Sequence, residues 1–167
     1  MRNIELKARL VDLDMARKVA AVIATKRLGA QHQLDTYFHC YHGRLKLRKI
    51  DGLRAELIAY TRPDQEGPKP SDYRLMPLSN PETLKAALTA ALGVRAVVEK
   101  RREIFLYHSV RIHLDDVVGL GHFLELEAVL GGDVDEAAGR ALLDSLQHHF
   151  ALSPSVLLAN SYGEMIA

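Results

Sequence analysis

At 167 residues, with 48% hydrophobic and 26% charged residues, the chain has the size and make-up of one globular domain spanning residues 1–167. A formal net charge of +1 excludes the global basicity of a nucleic-acid binder, so any preference for anions must come from how the charges are distributed. The single cysteine, Cys40, excludes an internal disulfide, and no run of about 18 apolar residues offers a membrane span; the expectation is a cytoplasmic protein with neither nucleic acid nor membrane as partner.

The chain opens on a strand. Asn3-Ile4-Glu5-Leu6-Lys7-Ala8-Arg9 alternates polar and apolar at every step, which sends Asn3, Glu5, Lys7 and Arg9 to one face and Ile4, Leu6, Ala8 and Leu10 to the other. A helix is expected from about Asp14 to Leu28, with Asp12 or Asp14 as its cap, an apolar stripe of Met15, Val19, Val22 and Ile23, and Gly29 as its end. Strands follow at about 33–40, 44–50 and 53–62. The proline- and glycine-containing stretch from Arg62 to Pro70 reads as a loop. After a strand near 71–77, Asn80-Pro81-Glu82 supplies a cap, a first-turn proline and an acid for a helix ending near Leu92-Gly93. Long strands are expected at about 94–106, 109–115 and 121–130, then a helix over about 133–150. Ser153-Pro154-Ser155 reads as the start of a short fourth helix.

The charged residues keep to one face in strand after strand. Arg44, Lys46 and Arg48 share a face, as do Glu56, Ile58, Tyr60 and Arg62. So do Lys100 and Arg102, then Arg111, His113 and Asp115, and finally Glu125 and Glu127. A solvated face accounts for any one such strand. Six with the same habit favour an α+β chain built on a closed antiparallel β-barrel of about eight strands, charged faces inward and helices packed outside. A polar lumen of that kind needs a polyanion and metal to occupy it. Other site types are absent: there is no glycine-rich phosphate loop, GxGxxG, HExxH or CxxC, and only Cys40 and His42 of the His39–His42 run share a face.

On these residues the chain resembles the CYTH superfamily, the triphosphate tunnel metalloenzymes. Glu5 and Lys7 match the second Glu and the Lys of an ExExK signature, with Asn3 where the first Glu would stand. Asp35-Thr36-Tyr37-Phe38, the Lys46/Arg48 strand, Lys100-Arg101-Arg102, Asp115, the Gly121–Glu127 block and Ser161-Tyr162 match in order. The resemblance implies a tunnel in which Lys7, Arg9, Lys46, Arg48, Lys100, Arg102, Arg111 and Arg62 bind a triphosphate; Tyr60 or Thr61 is the alternative counterpart of Arg62. It implies Mg²⁺ or Mn²⁺ held by Glu5, Asp115, Glu125 and Glu127, with oxygen donors suited to a hard cation, and catalysis by Glu5, Lys7 and Glu127. The implied activity is hydrolysis of an inorganic or organic triphosphate. The alternatives are a class IV-type adenylate cyclase releasing pyrophosphate, and a non-catalytic triphosphate or nucleotide sensor, which the amide at Asn3 keeps open. The helix-lined exterior could support a homodimer, an assembly common in the family.

Overall fold

The alternation that opens the chain continues around a closed wall. In the computed structural model, which describes residues 1–167, the barrel strands are β1 (Arg2–Leu10), β2 (Lys26–Phe38), β3 (Arg44–Ile50), β4 (Arg54–Thr61), β5 (Lys69–Pro77), β6 (Val94–Tyr107), β7 (Val110–Val117) and β8 (Gly121–Val129). The helices are α1 (Leu13–Ile23), α2 (Pro81–Leu92), α3 (Glu136–His149) and α4 (Tyr162–Ile166). Neighbouring strands run antiparallel in the order β5-β4-β3-β2-β6-β7-β8-β1, and β1 pairs back onto β5 from Arg2↔Asp72 to Glu5↔Lys69. Closure removes the sheet edges, and eight strands leave an interior about wide enough for one small ligand. Where β5 leaves β1, the two-residue strand β9 (Leu157–Leu158) takes its place, opposite Lys7 and Ala8.

The larger of two apolar core clusters lies outside the barrel wall. Ile4 and Leu6 of β1, Ile112 and Leu114 of β7, and Leu124, Leu126 and Ala128 of β8 are shut off from solvent beneath α1 and α3, which contribute Ala16, Ala20, Leu143 and Leu146. Each such large aliphatic side chain contributes roughly 1.5–3 kcal/mol by leaving water. The fit is close: a Cβ added at Gly139 of α3 would meet Leu130 Cδ2 at 2.9 Å. Because the strands bury their apolar face outward, their other face, with the charged residues, is left to line the interior. No helix is long and apolar enough to cross a membrane.

Three boundaries differ from the sequence reading. Helix α1 is capped by Asp12, whose side chain accepts from Met15 N, but it ends at Ile23 and not near Leu28. Thr25 ties the chain to β6 through its backbone N–H and its hydroxyl, both donating to Leu106 O, and β2 begins at Lys26. Gly29 therefore ends no helix; at φ +88° it sits where the β2–β6 register shifts, between Arg27 and Gly29. The loop after β4 ends at Pro68, since Lys69 and Pro70 already pair with β1. The residues 154–156 form one 3₁₀ turn, and the last helix starts later, at Tyr162, behind a reciprocal Ser161/Glu164 capping box.

Candidate functional site

All eight barrel strands send side chains into a cavity of about 290 Å³. Asn3, Glu5 and Lys7 enter from β1, Lys46 and Arg48 from β3, Lys100 and Arg102 from β6, Arg111 from β7, and Glu125 and Glu127 from β8; Arg62 enters from just beyond β4. With Arg54 and Glu56, eight cations face four carboxylates in this lining.

Two further carboxylates are set into the wall and fix the cations in place. Asp35 is fully buried and receives both arms of Arg48 at 2.7 Å, with Lys46 Nζ at 3.2 Å and Lys100 Nζ at 3.5 Å. Burial opposes its ionisation, but Arg48, Lys46 and Lys100 outweigh that and hold its carboxyl well below the usual range. Asp115 receives both arms of Arg102 at 2.7 Å and the Tyr162 hydroxyl at 2.7 Å. Such bidentate pairs are the strongest ion pairs proteins make and set the guanidinium plane.

The groups facing the cavity are less well compensated. Lys7 lies 3.4 Å from Glu125, and Arg102 reaches the same carboxylate at 3.4 Å. Burial is the largest influence on both lysines: it lowers Lys7, and together with neighbouring Arg102 it lowers Lys100 well below the ordinary lysine value. Glu5 is paired with Arg62 Nε at 3.1 Å, yet burial and the nearby Glu125 raise its carboxyl. Glu125 is itself held well below the carboxylate range, because Arg102 and Lys7 outweigh its burial. Crowded like charges of both signs are relieved by a polyanion on the cations and a metal ion on the acids.

The acids converge with one further group. His113 of β7 stands opposite Glu125 in the register, and ligand atoms of His113, Glu125 and Glu127 lie within 4.8 Å of one another. Burial, then Arg102, lowers the His113 pKa, which favours the neutral ring. Asn3 Oδ1, also in the lining, is buried and accepts no hydrogen bond. Converging carboxylates beside an unsatisfied amide oxygen fit an oxygen-preferring divalent cation.

Tyr162, at the start of α4, joins the cavity lining. Its ring lies 3.7 Å from Lys7 Nζ and 5.0 Å from Lys100 Nζ, and it packs edge-on against Phe123. Gly163 lets the helix come this close, since a Cβ there would meet the Tyr37 ring at 2.9 Å. Arg111, four residues along β7 from Asp115, belongs to the open mouth, rimmed by exposed Leu28, Arg54 and Leu75.

Two residues expected in the lumen do not line it. Arg9 is exposed, donates to Leu120 O and stacks on Phe123. Asp115 faces Arg102 and Tyr162 and stands apart from the acid cluster, so it orients a cation and is not placed as a metal ligand. Both corrections have one cause. Arg9 and Asp115 each pair with Phe123 in register, and at that level the interior is filled by the rings of Phe123 and Tyr162. Sequence reasoning placed His113 on the inward face with Arg111 but gave it no role in the site. It also passed over Gln31, Gln33 and Tyr73, and gave no sign that Tyr162 would fold back into the barrel.

Comparison with known proteins agrees with this geometry. The family model described as the CYTH domain matches residues 1–154. No curated protein matches the chain. Among solved structures, the chain is similar to the PH1012 protein from Pyrococcus horikoshii OT3, at 24% identity and a TM-score of 0.85, with 99% of each chain covered. A candidate adenylate cyclase from Vibrio parahaemolyticus is similar at 21% identity and a TM-score of 0.82, covering 98% of this chain and 96% of that one. HpAC1 from Hippeastrum, a candidate adenylyl cyclase with a dominant triphosphatase activity, is similar at 11% identity and a TM-score of 0.64, covering 96% and 90%. At these identities the structural likeness speaks for the fold alone. With the family model spanning most of its length, the chain belongs to the CYTH domain family.

Proposed function

We propose that the chain is a metal-dependent triphosphatase that holds its substrate in the barrel lumen. The observation that carries the reading is the lining itself: eight cations against four carboxylates, enclosed by strands, with the Tyr162 ring against Lys7. Lys46, Arg48, Lys100 and Arg102 are pre-set by Asp35 and Asp115, so a polyphosphate meets oriented donors without reorganising them. Glu125 and Glu127, with Glu5, would hold Mg²⁺ or Mn²⁺. When bound, the ion supplies charge neutralisation and polarises a phosphoryl oxygen.

In the reaction so read, water attacks a terminal phosphorus, the bond to the bridging oxygen breaks, the remaining diphosphate leaves with that oxygen, and the attacked phosphoryl group becomes orthophosphate. Lys7, Lys100 and Arg102 neutralise the charge that develops on the phosphoryl and leaving oxygens. Of Glu5, Glu125 and Glu127, Glu127 is the least tightly paired and so the freest to take the proton of water, since its nearest cation, Arg111 Nε, lies 3.7 Å away. Glu125 is committed to Lys7 and Arg102.

A second reading, a cyclase acting on ATP, is favoured by one feature. The mouth carries Leu28, Ile50, Leu75 and Ile104, an apolar collar on which an organic group attached to the triphosphate can rest. The two readings part on products. Incubation with Mg²⁺ or Mn²⁺ and, separately, inorganic triphosphate, thiamine triphosphate or ATP should give orthophosphate and no cyclic AMP. Cyclic AMP with equimolar pyrophosphate from ATP would replace the first reading by the second. Tight binding without product would make the protein a sensor.

A further inference from the structure

We propose that His113 supplies a nitrogen donor to the divalent cation of the lumen, making this a mixed imidazole–carboxylate site that takes Mn²⁺ in preference to Mg²⁺. The inference rests on the reading above that Glu125 and Glu127 bind a cation, and goes beyond it in naming a ligand and the class of metal.

His113 is 4% exposed, and its Nδ1 is buried without a hydrogen-bond partner. The nearest acceptors are Glu125 Oε1 at 3.6 Å and Glu127 Oε1 at 4.0 Å, both too long for a hydrogen bond. A polar atom left in this condition costs about 1–3 kcal/mol, which a ligand would recover. The spacing suits one ion. With bonds of about 2.1 Å, an octahedral cation holds adjacent ligands about 3 Å apart and opposite ones about 4.2 Å apart. The two separations from His113 fall in that interval, and the three ligand atoms, all within 4.8 Å of one another, need only a small side-chain adjustment to share an ion.

The donor set then decides the metal. Mg²⁺ binds oxygen and accepts imidazole poorly, whereas Mn²⁺ accepts both, and later first-row ions bind nitrogen still more strongly. A nitrogen among the carboxylates thus raises transition-metal affinity relative to magnesium. It also offsets the loss of a carboxylate at Asn3, whose neutral amide gives oxygen without charge. His113 is the one histidine in the cavity lining, so any histidine nitrogen on a lumen metal identifies it.

The test is electron spin-echo spectroscopy of Mn²⁺ bound to the wild-type protein, with and without ¹⁵N-labelled histidine. The expected result is a directly coordinated nitrogen whose coupling changes with the label and disappears in His113→Ala. Displacement titrations with Mg²⁺ should show Mn²⁺ preferred, and His113→Ala should cut that preference at least tenfold. Bound Mn²⁺ without histidine nitrogen in its coupling overturns the proposal and leaves the carboxylate site standing. No Mn²⁺ binding at all overturns both. The wild-type spectrum decides the matter even if the variant folds poorly.

Discussion

Replacing Asp115 by Asn removes a charge from the wall and leaves the outline of the side chain intact. Arg102, 3% exposed, would then lose its bidentate partner and keep only Glu125 at 3.4 Å. Removing one member of a buried pair costs about 3–5 kcal/mol, because the remaining charge is stranded. The asparagine keeps one acceptor oxygen for Arg102 or the Tyr162 hydroxyl, which places the expected loss near the lower end, about 3 kcal/mol. For a domain of this size that lowers the thermal midpoint by roughly 6–12 °C. Circular dichroism melts of wild type and Asp115→Asn, with and without inorganic triphosphate, would measure it. The gap should narrow with ligand, since phosphate oxygens would give Arg102 a new counter-charge. Mn²⁺ affinity should stay within about threefold of wild type, because Asp115 stands outside the acid cluster. A midpoint within 2 °C of wild type would refute the view that Asp115 holds Arg102, and a collapse of metal affinity would restore it as a ligand.

Other outcomes follow from the same geometry. Lys46→Ala removes a cation whose one ion pair is with Asp35 and should weaken inorganic triphosphate binding by about tenfold in calorimetry at low salt, with less effect at high salt. Tyr162→Phe deletes the hydroxyl that Asp115 accepts and should cost about 1 kcal/mol in urea denaturation, leaving the ring over Lys7 in place. Lys69, buried and bonded to the carbonyls of Gln65 and Leu158, has its pKa lowered to about 8, chiefly by burial and then by Arg62. Between that value and the ordinary lysine range the unfolded chain binds the extra proton, so stability rises with pH there. Urea midpoints at pH 7, 8 and 9.5 should therefore improve for wild type relative to Lys69→Met as pH rises; parallel curves would contradict the burial account.

The fold was legible because one physical rule governs it: strands that put leucine outward and charge inward announce both faces of the wall. Lys7, Lys46, Arg48, Lys100, Arg102, Glu125 and Glu127 all lie where that alternation sends them. What failed was depth along the barrel axis. Alternation assigns a face but not a level, so Arg9 and Asp115 were counted in the lumen although aromatic rings fill it at their height. Gly29 misled for a related reason. A left-handed glycine serves a helix end and a strand irregularity equally well, and only the pairing with β6 distinguishes them. Tyr162 was hidden because its place depends on the last dozen residues crossing back over β1, a contact distant in sequence and without periodic trace.

The central claim is that the lumen is a triphosphate site. Isothermal titration of inorganic triphosphate into the wild-type protein and into Arg102→Met tests it most directly. The account predicts one site per chain in wild type and at least a hundredfold loss in Arg102→Met, measured at a temperature where circular dichroism shows the variant folded. No binding to wild type, or equal affinity in the two proteins, would contradict it.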